Sequence, residues 1–572
     1  METSSHGDST KREQPFTRIF DHPVKKYDPA QLLKLANAIA DSPDSVKDGA
    51  DPEENGMVPA GYTYFGQFVD HDLTFDSTSS LNPADTVADG TREPSNLRTP
   101  RLDLDCLYGD GPDAQPYMYD VDGASLLFQH SSPDTKLAQK DLMRSPTGRA
   151  IIGDKRNDEN SIVSQIQFSF VQFHNAVVDH FKGLSQDSLI VPGNLFQSAR
   201  REVTWTYQHL LLHDYLPRII HHEVLQDLQK PVGGKRNFVL YKAEKGLRDN
   251  LPREFVAAAY RFGHSMVRSG YRLNGELNNR FHIFASSTPQ ANELKENPPS
   301  LIGFDPLPAN HVIDDWKRFF PTAPHPSTAD LKLSLKADGD APDVKVRMQF
   351  AYKIDTKIVD PLSVLPRNSI AGNSTAEQAE NAIAPARLPD KTGRPSLALL
   401  NLVRGDRFEL VSGQVVADAI LAAGLRPKDS TLPLPLEPAH LSTRGKVAGK
   451  DGIMQFTPID AYFKDNTPLW FYLLAEAQAP LVDALWPGKA GASSPQFNED
   501  KLLEPHTNHT QLGWVGGRIV AEVFYGILES DAASLLNAGQ HGPNGPWKSV
   551  LDKKEGYVFG DLLKFAGQKL SA

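Results

Sequence analysis

The sequence predicts a mainly α protein, built as a single large domain with long irregular loops and little β-structure. Apolar residues recur at helical spacing through most of the chain. Alternating strand patterns are few and short. No repeat, low-complexity tract or change of composition divides the 572 residues. Length alone would suggest three or four domains, but uniform composition argues against that division. With 40% hydrophobic and 23% charged residues, the chain can bury a large core and is not mostly disordered.

The first 55 residues are polar and read as an arm or tail interrupted by one helix. Asp28 can cap that helix, Pro29 suits its first turn, and Leu32, Leu33, Leu35, Ala36 and Ile39 form its apolar face. A long helix is expected to open near Asp158, capped by Asn157 or Asp158, with Ile162, Ile166, Phe170, Phe173 and Val177 on one face. Residues 196–216 and 252–269 also read as helices. KVRMQFAY, from Lys345, is the best strand candidate. Thr467-Pro468 is a cap and first turn before LWFYLLAEA, and a last clear helix follows Gly516-Gly517. Pro-rich stretches around 286–310, 321–328, 384–395 and 426–439 read as surface loops. The expected boundaries are an arm over 1–55, the main domain over 56–530 and a C-terminal extension over 531–572.

Charge and cysteine content narrow the function classes. Sixty basic against 71 acidic residues give a net charge of −11, a poor match to nucleic acid. No apolar run reaches the roughly 18 residues of a membrane helix. The N-terminus has no apolar signal region, and the single cysteine, Cys106, excludes an internal disulfide. The expected location is cytoplasmic, or outside the cell by a route needing no standard signal.

Four clusters carry possible chemistry. In YFGQFVDHDLTF, residues 64–75, Gln67 and His71 share a helix face, and Asp70 and Asp72 flank the histidine. A neutral histidine can shuttle protons. In RTPRLDLDCLYGDG, Asp103 and Asp105 are two apart and would project together from an extended loop, as a hard cation such as calcium requires. GDKRNDENS supplies Arg156, a permanent charge with a planar fork of donors. AAAYRFGHSMVRSGYRL places His264 on a helix among apolar neighbours.

Taken in order, these motifs resemble those of the animal-type haem peroxidases, the peroxidase–cyclooxygenase superfamily. Gly66-Gln67-Phe68-Val69-Asp70-His71-Asp72 is similar to the family's distal motif, Gly-Gln-x-x-Asp-His-Asp. The resemblance makes His71 the distal acid–base, Gln67 a distal hydrogen-bonding residue and Asp70 a carboxylate able to esterify a haem methyl. It puts Asp72, Thr99, Arg101 (through its carbonyl), Asp103 and Asp105 around calcium, before the family-like ending Leu107-Tyr108-Gly109. Arg156-Asn157-Asp158-Glu159 fits the pattern Arg-x-x-Glu, implying a catalytic arginine and a second ester-forming carboxylate. Tyr260-Arg261-Phe262-Gly263-His264 resembles the proximal motif, so His264 would ligate the haem iron and Arg261 a propionate. Leu400-Asn401-Leu402-Val403-Arg404 resembles Leu-Asn-x-x-Arg, which makes Asn401 the partner of His264 and Arg404 a second propionate contact. His213-Asp214-Tyr215-Leu216-Pro217 also looks like a family stretch.

The departures are informative. Asp105 stands where the family has Ser, which adds negative charge. Asn160 stands where some members have a haem-linked Met, so no sulfonium link can form there. Phe173 replaces the usual Glu, and the loop after Arg404 has diverged. Arg261 occupies the position of the radical tyrosine of the dioxygenase branches, with Tyr260 one residue off. Missing disulfides point to the bacterial or fungal side of the superfamily.

The resemblance therefore implies haem b, possible ester links through Asp70 and Glu159, and calcium. It implies an enzyme using hydrogen peroxide to oxidise a halide, phenolic or other small donor through a ferryl state. Two alternatives within the superfamily are a haem-dependent dioxygenase and a catalytically weak binding module. A non-haem metal oxygenase is the outside alternative, from His209 with His213 and from His221-His222-Glu223.

Overall fold

A computed structural model describes residues 14–22, 24–40, 53–75, 95–132, 135–232, 234–242, 248, 250–275, 281–283, 300–334, 346–363, 396–428, 432–446, 453–485, 497–498, 509–540, 546–553 and 556–571. The expected loops over 286–299 and 384–395 lie outside these residues.

The principal helices are α1 (Pro29–Ile39), α2 (Gly61–Leu73), α3 (Ser161–Lys182), α4 (Leu195–Leu210), α5 (Arg253–Ala257), α6 (Leu397–Arg407), α7 (Leu469–Leu485), α8 (Gly516–Ser530) and α9 (Phe559–Phe565). Strands are short and antiparallel. Glu54–Pro59 pairs with Phe350–Tyr352, and Ser442–Lys446 pairs with Ile453–Pro458. One large apolar cluster runs from Phe16 to Ala566, with a small separate one of Phe456, Leu481, Val482 and Leu485, and the described elements are mainly helices. Among the described residues no helix is long and apolar enough to cross a membrane.

Helix α1 forms as its sequence suggests. The Asp28 carboxylate accepts from Ala30 N at 2.8 Å, and Leu32, Leu35, Ala36 and Ile39 are buried. Helix α2 is buried almost all round, because α3 and α4 press on it. Phe68 stacks on Phe170 with ring centroids 4.7 Å apart, and Phe65 meets Tyr207 and Tyr215 edge-on. At Gly66 a Cβ would lie 2.3 Å from Tyr215 Oη, so only glycine allows the tyrosine this close.

Several expectations need correction. The long helix opens at Ser161, not near Asp158. Asn160 is its cap, accepting from Ile162 N and Val163 N, and a 3-10 turn over Lys155–Asp158 precedes it. Asp158 is instead held by Arg144 through two 2.8 Å bonds. The expected helix over 252–269 is a short α5, a break at Ala258 (φ −137°, ψ −67°) and a 3-10 helix over Ala259–His264. An Ala-rich run favours helix locally, but packing against α2, α7 and α8 sets the backbone here. The helix at 196–216 runs on through a π segment, Leu211–Tyr215, to Ile219. KVRMQFAY contributes only Phe350–Tyr352 as strand. Asp105 opens a one-turn helix and does not continue an extended loop. Helix α9 follows the helix expected to be last. It docks in the main core, with Phe559 stacked on Phe320 at 4.1 Å.

Candidate functional site

Helix α2 carries His71 inward, 5% exposed, while Gln67 and Asp70 on the same helix keep some solvent-reachable surface. His71 Nδ1 lies 2.8 Å from Asn157 Oδ1. Burial, followed by the nearby Arg156 charge, lowers the His71 pKa to about 4, so the ring is neutral at neutral pH. Gln67 Nε2 donates to Glu159, and Asn160 Nδ2 donates to Gln67 Oε1 at 3.3 Å. Burial pushes the Glu159 carboxyl up to about 7 against the pull of Arg156. Asp70 accepts at 3.2 Å from the Thr74 hydroxyl.

Arg156 is clamped. Asp154 accepts from its Nε at 3.1 Å and from its Nη2 at 2.8 Å. The same Nη2 also donates to the carbonyls of Thr74 and of His71, the latter at 3.1 Å. Its bonds to the His71 segment thus run to the backbone, not to the ring. Asp154 in turn holds Arg98 at 2.6 Å, and Arg98 pairs with Asp105 at 2.7 Å. An ionic chain therefore joins Arg156 to the acidic loop. It also answers the extra charge of Asp105, which Arg98 neutralises.

Ligand oxygens of Asp72, Asp103 and Asp105 lie within 4.8 Å of one another. Leu104 between the two loop acids is left-handed (φ +58°), a conformation unfavourable for leucine, and its N–H donates to Asp72 Oδ2 at 3.2 Å. Asp72 Oδ1, Asp103 Oδ1 and Thr99 Oγ1 are buried with no hydrogen-bond partner among the described residues. Buried oxygens of this kind are costly unless something binds them, and three acids with a hydroxyl suit a hard cation. Burial and mutual repulsion raise Asp72, with Asp105 the larger influence, and push Asp103 up to about 6. The Arg101 side chain is exposed, leaving its carbonyl as the group that could take part. The donor set fits calcium.

His264 ends the 3-10 helix. Its Nδ1 lies 2.8 Å from Asn401 Nδ2, and Arg404 Nη1 donates to Asn401 Oδ1 at 3.4 Å. In this arrangement the amide donates to Nδ1 and Nε2 carries the proton. An iron-ligating ring needs the opposite tautomer, reached when the Asn401 amide turns its oxygen to Nδ1. Burial first, then the Arg261 and Arg404 charges, lower the His264 pKa to about 3. A 3-10 helix repeats every three residues, so Arg261 shares the His264 face and Tyr260 does not. Tyr260 instead donates from its hydroxyl to Gly66 O at 3.2 Å. That bond ties the His264 segment to the helix carrying Gln67 and His71.

Gln67, Asp70, Glu159, Arg261, His264 and Arg404 are all only partly buried, in segments otherwise deep in the molecule. A Cβ on Gly263 would meet nothing within 4 Å, so open space lies beside His264. Solvent-reachable walls from both histidine segments, with two guanidinium groups on one side, fit a planar dianionic cofactor such as haem.

The alternative metal groups do not assemble. His209 stacks on Tyr557 at 4.3 Å and touches His213, with no third ligand near them among the described residues. The His221 ring accepts from Glu223 N at 3.3 Å as a helix cap. Sequence reasoning missed Asp154, Arg98 and Gln167 as site neighbours, and read Asn157 only as a cap.

Residues 80–298 match the sequence profile of the animal haem peroxidase family. Dual oxidase of Drosophila melanogaster is 28% identical over 137 residues, 24% of this chain and 8% of that protein. A peroxidase-like protein of Margaritifera margaritifera is 24% identical over 266 residues, 36% of this chain and 31% of the relative. The matches thus span under a third of these relatives' lengths. Peroxidase A of Dictyostelium discoideum has a similar fold, with a TM-score of 0.50 at 14% identity over 96% of this chain and 95% of that one. Over residues 80–298 the chain is thus similar to the animal haem peroxidase family, and its fold is similar to that of a peroxidase.

Proposed function

We propose that this protein is a haem peroxidase, reducing hydrogen peroxide at the expense of a small-molecule donor such as a halide or a phenol. The observation that carries the reading is the pairing of two buried histidine segments, joined by the Tyr260–Gly66 bond, each with its ring Nδ1 against an asparagine amide.

When bound, haem supplies a redox-active iron able to take an oxygen from peroxide. His264 would hold that iron through Nε2, with Asn401 setting the basicity of the ring. Arg261 and Arg404 would meet the propionates. His71, neutral at neutral pH, takes a proton from the incoming peroxide and returns it to the departing oxygen, which leaves as water. Arg156 keeps the His71 segment in place and adds a fixed positive charge near the charge that builds as the O–O bond breaks. Gln67 and Glu159 orient polar groups in the same space. Asp70 and Glu159 are the carboxylates available for ester links to the cofactor, and the carboxylate loop would hold calcium behind His71.

Stopped-flow mixing of haem-loaded protein with peroxide tests this reading. The wild type should react rapidly with about one equivalent of peroxide and consume more only when a donor is present. His71→Leu should slow the reaction by about 10²-fold or more. A wild-type rate in His71→Leu would refute the role of His71.

A further inference from the structure

We infer that Asn157, backed by Gln167, is a positioning residue that fixes the tautomer of the distal histidine. The inference rests on reading His71 as the proton carrier. The family motif Arg-x-x-Glu leaves the position of Asn157 open, so the motif gives it no role.

Asn157 is fully buried, and its side chain has two partners. Its Oδ1 lies 2.8 Å from His71 Nδ1, and its Nδ2 donates to Gln167 Oε1 at 2.9 Å. An amide oxygen can only accept, so this contact requires the proton on Nδ1. A neutral imidazole carries one N–H, which leaves the lone pair on Nε2, the atom that must take a proton from peroxide. The opposite tautomer would present an N–H there and could not act as a base.

The support is rigid. Asn157 sits on the 3-10 turn Lys155–Asp158, and Gln167, 1% exposed, sits in the second turn of α3. Capping of α3 is done by Asn160, so the Asn157 side chain is not used to start the helix. Burying an amide is unfavourable unless its groups are bonded. Here the bonds that satisfy Asn157 are the ones that orient His71.

The test compares Asn157→Leu, which removes the acceptor, with Asn157→Asp, which keeps it, both in the haem-loaded full chain. Three quantities are read: haem content, the rate of reaction with peroxide, and the rate of cyanide association with ferric protein, which needs a base for the proton of HCN. Asn157→Leu should retain haem but lose about tenfold or more in both rates, and Asn157→Asp should stay within about threefold of wild type. Wild-type rates in Asn157→Leu, or equal losses in both variants, would overturn the inference. If Asn157→Leu fails to load haem, Gln167→Leu serves instead. It leaves His71 and Asn157 intact but frees the amide, and unchanged rates there would overturn the inference too. His71→Leu separates the two claims. If that variant reacts at the wild-type rate, the reading of His71 fails; if it is slow while Asn157→Leu is fast, only the role of Asn157 fails.

Discussion

At the residue scale, the chemistry depends on how each charged or ionisable side chain is held. Arg156 lies against Asp154 and two backbone carbonyls, so its position is set by a buried carboxylate that also holds Arg98. Arg156→Ala should therefore slow the reaction with peroxide by about 10²-fold while haem content is unchanged. Asp154→Asn should reproduce part of that loss, because it loosens the clamp and leaves the arginine in place. A wild-type peroxide rate in both variants, measured by stopped flow, would remove Arg156 from the mechanism. Motif order and spacing single out His71, Arg156, His264 and Asn401 as candidates from the sequence alone. They do not single out Asp154, Arg98 and Gln167. Their partners come from segments distant in sequence, and a polar run such as GDKRNDENS does not show which acid will meet which base.

At the element scale, the carboxylate loop is the clearest case of local structure set by crowded acidic groups and their contacts. Asp72 and Asp103 are raised by burial and by their acidic neighbours. A raised carboxyl pKa means the folded protein holds its proton to higher pH than the unfolded chain does. That stabilising contribution is present at low pH and is lost as pH rises through about 6, where Asp103 ionises. Under the proposed calcium assignment the ion would replace those protons, so it should bind weakly at pH 5 and tightly at pH 7. At a fixed calcium concentration the melting-temperature difference between calcium-loaded and chelated protein should widen over that interval; a concentration that is 100 times Kd corresponds to about 2.7 kcal/mol of stabilisation. Asp103→Asn should flatten the pH dependence. A difference independent of pH would contradict the assignment. The sequence located this loop but described it as extended. The left-handed Leu104 follows from the bond its N–H makes to Asp72, a residue 32 positions earlier. The break in the proximal segment was missed for a similar reason, since the Ala-rich run has helical propensity and only packing interrupts it.

At the scale of the whole molecule, the main apolar core holds the two histidine segments together. Segments from both ends of the chain help to close it. Glu254 accepts from Ile19 N and Phe20 N, Asp214 accepts from Phe559 N at 2.8 Å, and Trp547 Nε1 donates to Glu202 at 2.7 Å. The mainly α class was readable from periodicity, because long amphipathic runs such as α3 and α8 dominate. The packing of the terminal segments was not, because their buried anchors are scattered single residues without a period. In the proposed reading this core holds haem between His71 and His264. The most direct measurement is the absorption spectrum and iron content of protein produced with added haem precursor, beside His264→Ala, with acid–acetone extraction after exposure to peroxide. The expected result is a Soret band at about one haem per chain, loss of most of that band in His264→Ala, and haem that resists extraction if Asp70 and Glu159 form ester links. Protein that takes up no haem, or a His264→Ala variant with an unchanged Soret band and haem content, would contradict it.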